Sequence, residues 1–158
     1  MAEKRPTILQ IIPELDTGGA ERTTVEMAEA IVKAGGRALV LAEGGRLSSE
    51  VEAAGGEFIR FPAATKNPWR LMTNARAIAH MIHREAVDIV HARSRAPAWS
   101  AYLAARRTGV HFVTTYHGIY NEKGRIKRIY NSVMARGDIV IANSDYTAAI
   151  VRQRRCIA

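Results

Sequence analysis

Three stretches of this sequence group polar or glycine residues suited to binding or proton transfer: His91-Ala92-Arg93-Ser94, Tyr116-His117-Gly118, and the paired glycines in Asp16-Thr17-Gly18-Gly19-Ala20-Glu21. His91 and Arg93 alternate, so at a strand end both point to one side, an imidazole and a guanidinium suited to a phosphate or carboxylate. His117 can share a proton near neutral pH, and Gly118 beside it clears space. Gly18 and Gly19 leave backbone N–H groups uncovered; at the start of a helix such groups hold an anion or a sugar hydroxyl. A tight strand-to-helix turn would use the same two glycines. Their spacing follows neither G-x-G-x-x-G nor G-x-x-x-x-G-K-[ST], which argues against a nicotinamide or flavin cofactor.

The other chemically able residues fit core or surface roles better. Trp99, Tyr102, His80, His83 and His111 have no partners at ligand spacing on a common face. His80 and His83 stand three apart on a helix, but no third ligand accompanies them, so no metal site is expected. Nothing resembles a nucleophile elbow or a Ser/His/Asp set.

The elements that must position these stretches alternate along the chain. Short aliphatic runs at 7–12, 37–43, 57–61, 87–92, 110–116 and 138–143 read as strands. Between and after them, 20–34, 47–54, 69–84, 97–107, 124–136 and 145–154 read as helices, with Pro68 suited to a first turn and glycine pairs at 35–36 and 55–56 as stops. The expected apolar faces are Ala20, Thr24, Met27, Ala28 and Ile31 in the first helix, and Leu71, Met72, Ala75, Ile78, Ala79 and Ile82 in the third. Strands without polar alternation, each separated by a helix, are parallel and buried on both faces. The fold class is therefore α/β: a Rossmann-like three-layer α/β/α sandwich with a mostly parallel sheet of about six strands and right-handed crossovers. In such sheets ligands bind beyond the carboxyl ends of the strands, which is where all three stretches fall.

The 158 residues fit one domain, and 47% hydrophobic content with 24% charged residues describes a globular chain. The start is too short in apolar residues for a signal peptide or a membrane span, so a cytoplasmic protein is expected. The one cysteine, Cys156, reads as an incidental thiol in a reducing compartment. The net charge of +8 is uneven: residues 1–79 hold 10 Lys/Arg against 10 Asp/Glu, and residues 80–158 hold 13 against 5. An anionic partner follows, whether nucleic acid, anionic lipid or a phosphorylated small molecule. In 124–136, Ile126, Ile129, Tyr130, Val133 and Met134 share one helical face, expected to dock on the sheet. Lys123, Arg125, Lys127 and Arg128 crowd the helix start and could touch anionic lipid head groups, giving peripheral contact with the cytoplasmic face of a membrane.

The run GGAER after the first strand, with DIVHARS, TYHG and GDIVIANSDYTAAIV in that order, resembles the N-terminal domain of family 4 glycosyltransferases, retaining enzymes of the GT-B fold. The resemblance covers almost the whole chain. It implies an acceptor-binding domain facing a second domain that holds most of a sugar nucleotide such as a UDP-, GDP- or ADP-sugar. Carried over by motif, Gly18 and Gly19 would lie against the donor phosphate or sugar, and His117 beside the reacting centre as the catalytic residue. His91, Arg93, Ser94 and Gly118 would form the acceptor side. The resemblance also implies no metal requirement, and a leaving phosphate that helps deprotonate the acceptor on the same face of the sugar. The acceptor would be a glycan or a lipid-linked carrier in polysaccharide or lipid-linked glycan synthesis.

The donor-binding domain does not occur within these 158 residues, so the chain is expected to be part of a longer enzyme and inactive alone. Two other readings remain open. One is a non-catalytic basic binding module for nucleic acid or another anion, although the basic residues are dispersed, no stacking platform is visible, and no nucleic acid is expected. The other is part of a sugar-nucleotide epimerase, which would turn over a nucleotide sugar without an acceptor.

Overall fold

The computed structural model describes residues 5–118, 120 and 123–155, the side chains of 154 and 155 excepted. Cys156 lies outside them. Six strands, β1 (Thr7–Ile11), β2 (Arg37–Ala42), β3 (Glu57–Arg60), β4 (Ile89–Ala92), β5 (His111–Tyr116) and β6 (Ile139–Ala142), alternate with six helices, α1 (Gly19–Lys33), α2 (Ser48–Ala53), α3 (Pro68–Arg84), α4 (Arg95–Thr108), α5 (Arg125–Ser132) and α6 (Asp145–Arg155). The strands form one sheet in the order β3-β2-β1-β4-β5-β6, and all five pairings are parallel, so the sheet is wholly rather than mostly parallel.

Local chemistry places the ends. Asn67 caps α3, its Oδ1 accepting from Trp69 N at 2.9 Å, and Pro68 occupies the first turn, where its missing N–H costs nothing. α1 closes on Gly35, whose left-handed φ of +83° lets Gly35 N donate to the Val32 carbonyl and Gly36 N to Ile31.

The sheet separates two cores, and the strand register decides which residue enters which. Leu9, Ile11, Leu39, Leu41, Val90 and Phe112 face α3 and α4, whose Ala98, Ala101 and Ala104 bring α4 close to the strands. On the opposite face Ile12, Val40, Ala42, Val25, Ala28 and Ile31 pack with α1 and α2. Because Gln10 pairs with His91, and His91 with Val113, the polar Gln10 and His91 share the α1 side of the sheet.

Three expectations about faces need correction. On α1, Met27 is exposed and Val25 is buried in its place, a rotation of the apolar stripe toward the preceding turn. On α3, Met72 is exposed and Leu71 half-buried, because the first turn projects past the sheet; Asn74 is buried instead, its Nδ2 donating to the Pro62 carbonyl. The expected helix 124–136 is broken: α5 stops at Ser132 and a single 3₁₀ turn, Val133–Ala135, follows. Val133 and Met134 enter the core, while Ile126 is 84% and Ile129 65% exposed, so only the end of that apolar face docks. α4 also begins earlier than expected, at Arg95.

At the outer strand β6, Val140 packs on the core and Ile139 and Ile141 face outward, whereas β3 presents Glu57 and Arg60 at its two ends. Among the described residues no helix is long and apolar enough to cross a membrane.

Candidate functional site

Strand order reverses between β1 and β4: the chain runs outward from β1 through β2 and β3, then returns to start β4 on the other side of β1. Loops leaving β1 and β4 therefore diverge, and a crevice opens at the carboxyl ends of the central strands. The β1–α1 loop with Gly18 and Gly19, the β4–α4 turn with Arg93 and Ser94, and the β5 end with His117 and Gly118 meet on that rim.

Arg93 is the keystone of the floor. Its backbone N donates to the Ile11 carbonyl at 3.0 Å, continuing the β1–β4 ladder one residue past the strands. Its Nη1 donates to Gln10 Oε1 at 3.2 Å and its Nη2 to Thr23 Oγ1 at 2.6 Å, while Gln10 Nε2 donates to the Thr24 carbonyl at 3.1 Å. One guanidinium thus ties β4 to β1 and to the first turns of α1. It is 3% exposed, and among the described residues no carboxylate pairs with it. Burial lowers its pKa to about 10, which leaves it charged at neutral pH.

That charge acts on two imidazoles. His91 is 4% exposed with Nε2 2.7 Å from Thr115 Oγ1. Burial first, then Arg93 and His117, push its pKa down to about 3. Burial and then Arg93 lower His117 as well, opposed by the Glu21 carboxylate. Both rings are neutral at pH 7, so His117 is equipped to share a proton rather than to hold a permanent charge. The buried side-chain atoms without a hydrogen-bond partner among the described residues are Arg93 Nε and His117 Nε2. Leaving a buried donor or acceptor unpaired costs about 1–3 kcal/mol, so both belonging to this rim marks it as a place where polar partners come from outside the described residues.

The glycines sort by what surrounds them. A Cβ on Gly19 or Gly118 would meet nothing within 4 Å, and one on Gly18 would meet only the flexible Glu21 carboxylate. Gly18 has an ordinary φ of −83°. Among the described residues, neither a left-handed backbone nor packing against fixed atoms requires glycine at 18 and 19. Ser94 is the N-cap of α4 with no side-chain cap bond, so its hydroxyl is available at the rim.

The sequence did not single out several contributors. Gln10, Thr23 and Thr115 look like ordinary core or helix residues until the register sets them beside Arg93 and His91. Gly44 and Gly45, at the end of β2, brace the site loop: Leu15 N donates to the Gly44 carbonyl at 2.7 Å and Leu47 N to the Leu15 carbonyl at 2.8 Å. Past β5, Arg95 stacks on Tyr120 at 4.1 Å and its Nη1 donates to Asn131 Oδ1 at 2.9 Å, fastening the β5–α5 connection to α4. Asn143, at the end of β6, donates to the His117 carbonyl at 3.2 Å and holds that residue's backbone. Lys123, Arg125, Lys127 and Arg128 are exposed around the start of α5, and His80 and His83 are exposed on α3.

A crystal structure of a glycosyltransferase from Rickettsia africae ESF-5 matches 99% of this chain and 41% of its own at 39% identity, with a TM-score of 0.84. Anabaena HepE, crystallised with UDP-glucose, matches 94% of this chain and 40% of its own at 21% identity, TM-score 0.75. A Listeria monocytogenes protein described as a UDP-N-acetylglucosamine 2-epimerase matches 96% and 42% at 14% identity, TM-score 0.66, a likeness of fold alone. The chain thus spans about two fifths of the length of each. No curated protein matches it. The model of Glycosyltransferase Family 4 matches residues 17–158, and with a 39%-identical glycosyltransferase across the chain, the protein belongs to glycosyltransferase family 4.

Proposed function

We propose that this chain is the acceptor-side domain of a retaining, sugar-nucleotide-dependent glycosyltransferase that builds a polysaccharide or a lipid-linked glycan. The observation that carries the proposal is the pair of unpartnered buried atoms, Arg93 Nε and His117 Nε2, on the rim that Gly19 and Gly118 leave open. In this reading the N–H groups that begin α1 meet the phosphate or sugar of a UDP-, GDP- or ADP-sugar, and Arg93, on the acceptor side, supplies a fixed positive charge beside the reacting centre as negative charge builds there. Neutral His117 hydrogen-bonds at the reacting centre, and Ser94 and Gly118 border the acceptor. His91, locked to Thr115, forms the floor beneath them. The leaving phosphate takes the acceptor hydroxyl proton on the face from which it departs, so the new bond keeps the donor's anomeric configuration. No metal takes part in this scheme, and a second domain supplies the rest of the donor site, so residues 1–158 alone should not turn over.

The test uses the protein at the length its own cell produces, with UDP-, GDP- and ADP-sugars, candidate acceptors and NMR of the product. Retained configuration and a loss of about 100-fold or more in kcat/KM for Arg93→Met, in a variant with unchanged circular dichroism, are the expected results. An inverted product, or nucleotide-sugar turnover without acceptor, would remove the proposal in favour of another mechanism or the epimerase reading.

A further inference from the structure

α5 does two incompatible things for a helix that merely completes a layer. Its far end is anchored: Asn131 is 2% exposed and bonded by Arg95, the Trp99 Nε1 donates to the Tyr130 carbonyl at 3.0 Å, and Val133 and Met134 just beyond it are fully buried. Its first turns stand clear. Ile126 and Ile129, three apart and so on one side of the helix, are 84% and 65% exposed. Arg125, Lys127 and Arg128 are exposed around them, and among the described residues none of the three is in an ion pair. No acidic side chain interrupts α5.

A solvated helix face has no use for two neighbouring isoleucines held outward, and a protein partner that covered them would have to neutralise three cations besides. An anionic bilayer satisfies both demands at once: aliphatic side chains enter the acyl boundary while Arg and Lys remain at head-group level. α3, α4 and α5 lie over one face of the sheet, with their first turns at its carboxyl end. The first turn of α3 carries Trp69, 83% exposed, with Met72 beside it and exposed Lys66 and Arg70 flanking them. Trp is the residue most at home at a bilayer interface.

We propose that the first turns of α5, with Ile126 and Ile129 as apolar anchors and Arg125, Lys127 and Arg128 as head-group contacts, dock this domain onto an anionic lipid surface. The site reading is not needed for this, because the contact is made by residues outside the rim.

Sedimentation with vesicles tests it. The protein should bind phosphatidylcholine vesicles containing 30% phosphatidylglycerol at about 0.1 M salt, and bind pure phosphatidylcholine at least tenfold more weakly. Ile126→Ser/Ile129→Ser, both at exposed positions, should lower binding to the anionic vesicles about tenfold or more, and Lys127→Gln/Arg128→Gln by a similar factor. Arg106→Gln/Arg107→Gln, an equal loss of exposed charge at the other end of α4, should change it less than threefold. No binding to anionic vesicles, or equal losses in the α4 and α5 charge variants, would overturn the proposal. So would tight, salt-steep DNA binding that survives the isoleucine substitutions while vesicle binding is weak, which would make α5 a nucleic-acid surface. Transferase activity enters none of these readings, so this proposal and the one above fail separately.

Discussion

Two glycine pairs sit at the ends of neighbouring strands, Gly18–Gly19 after β1 and Gly44–Gly45 after β2, and they look alike in sequence. In the structure they do opposite work. Gly45 has φ +134°, and a Cβ there would come within 2.3 Å of the Leu15 backbone. Gly44 is also in the glycine-only region, at φ +145°. That pair is demanded by the protein itself. Gly18 and Gly19 are demanded by nothing in the described chain except the room they leave. The lesson is that the strained pair props up the unstrained one: Gly44 holds the loop at Leu15, and the loop carries Gly18–Gly19 to the start of α1, whose Thr23 meets Arg93.

The largest effect that would break this contrast is at Gly45. Gly45→Ala should lower the stability of the domain by about 3 kcal/mol, since a left-handed backbone and a backbone clash add. A denaturant midpoint unchanged from the parent would mean that the loop relaxes freely and is no brace.

The next effect sharpens the other side, where the rim stores unfavourable burial. An unfolded His91 titrates near 6.5 and the folded one near 3, so on acidification the unfolded chain takes up a proton that the native chain refuses. Stability from this residue is full above about pH 6.5 and falls as pH drops toward 3, by up to about 1.4 kcal/mol per pH unit. His91→Gln should flatten that part of the stability profile measured by urea unfolding; an identical slope would show that the ring is protonated in the native state.

The smallest effect on stability belongs to Gly19. Gly19→Ala should shift the unfolding free energy by less than about 1 kcal/mol, in either direction. In the full-length enzyme the same substitution should cut kcat/KM at least tenfold, because the added methyl stands where the proposed donor approaches. Equal kcat/KM in the parent and the variant would dissolve the distinction between the two pairs.

Much of this architecture was legible in the sequence. Aliphatic runs of four to six residues between helices closed by glycine leave few alternatives to a parallel sheet, and a parallel sheet gathers all its strand ends on one rim, so the positions of Gly19, Arg93 and His117 followed. What hid was whatever depends on register or on distant backbone. Gln10 becomes a ligand of Arg93 only because it pairs with His91, and Gly45 needs its glycine only because Leu15 crosses it. Periodicity likewise put Ile126, Ile129, Val133 and Met134 on one helical face. It carries no mark of where the helix parts from the sheet, so the outward turn of the first two was invisible. The placement of Met27 failed for a smaller reason: a stripe of 3.6-residue period can rotate by one position and keep nearly the same count of apolar residues.

The two outer strands give the sheet a direction. β3 ends in Glu57 and Arg60, whose charges discourage a further strand from lying alongside. β6 shows Ile139 at 61% and Ile141 at 38% exposure and no charge among its four residues, Ile139-Val140-Ile141-Ala142. The two margins of the sheet thus differ in kind: a charged strand bounds it on the α2 side, and an uncharged aliphatic strand bounds it on the other.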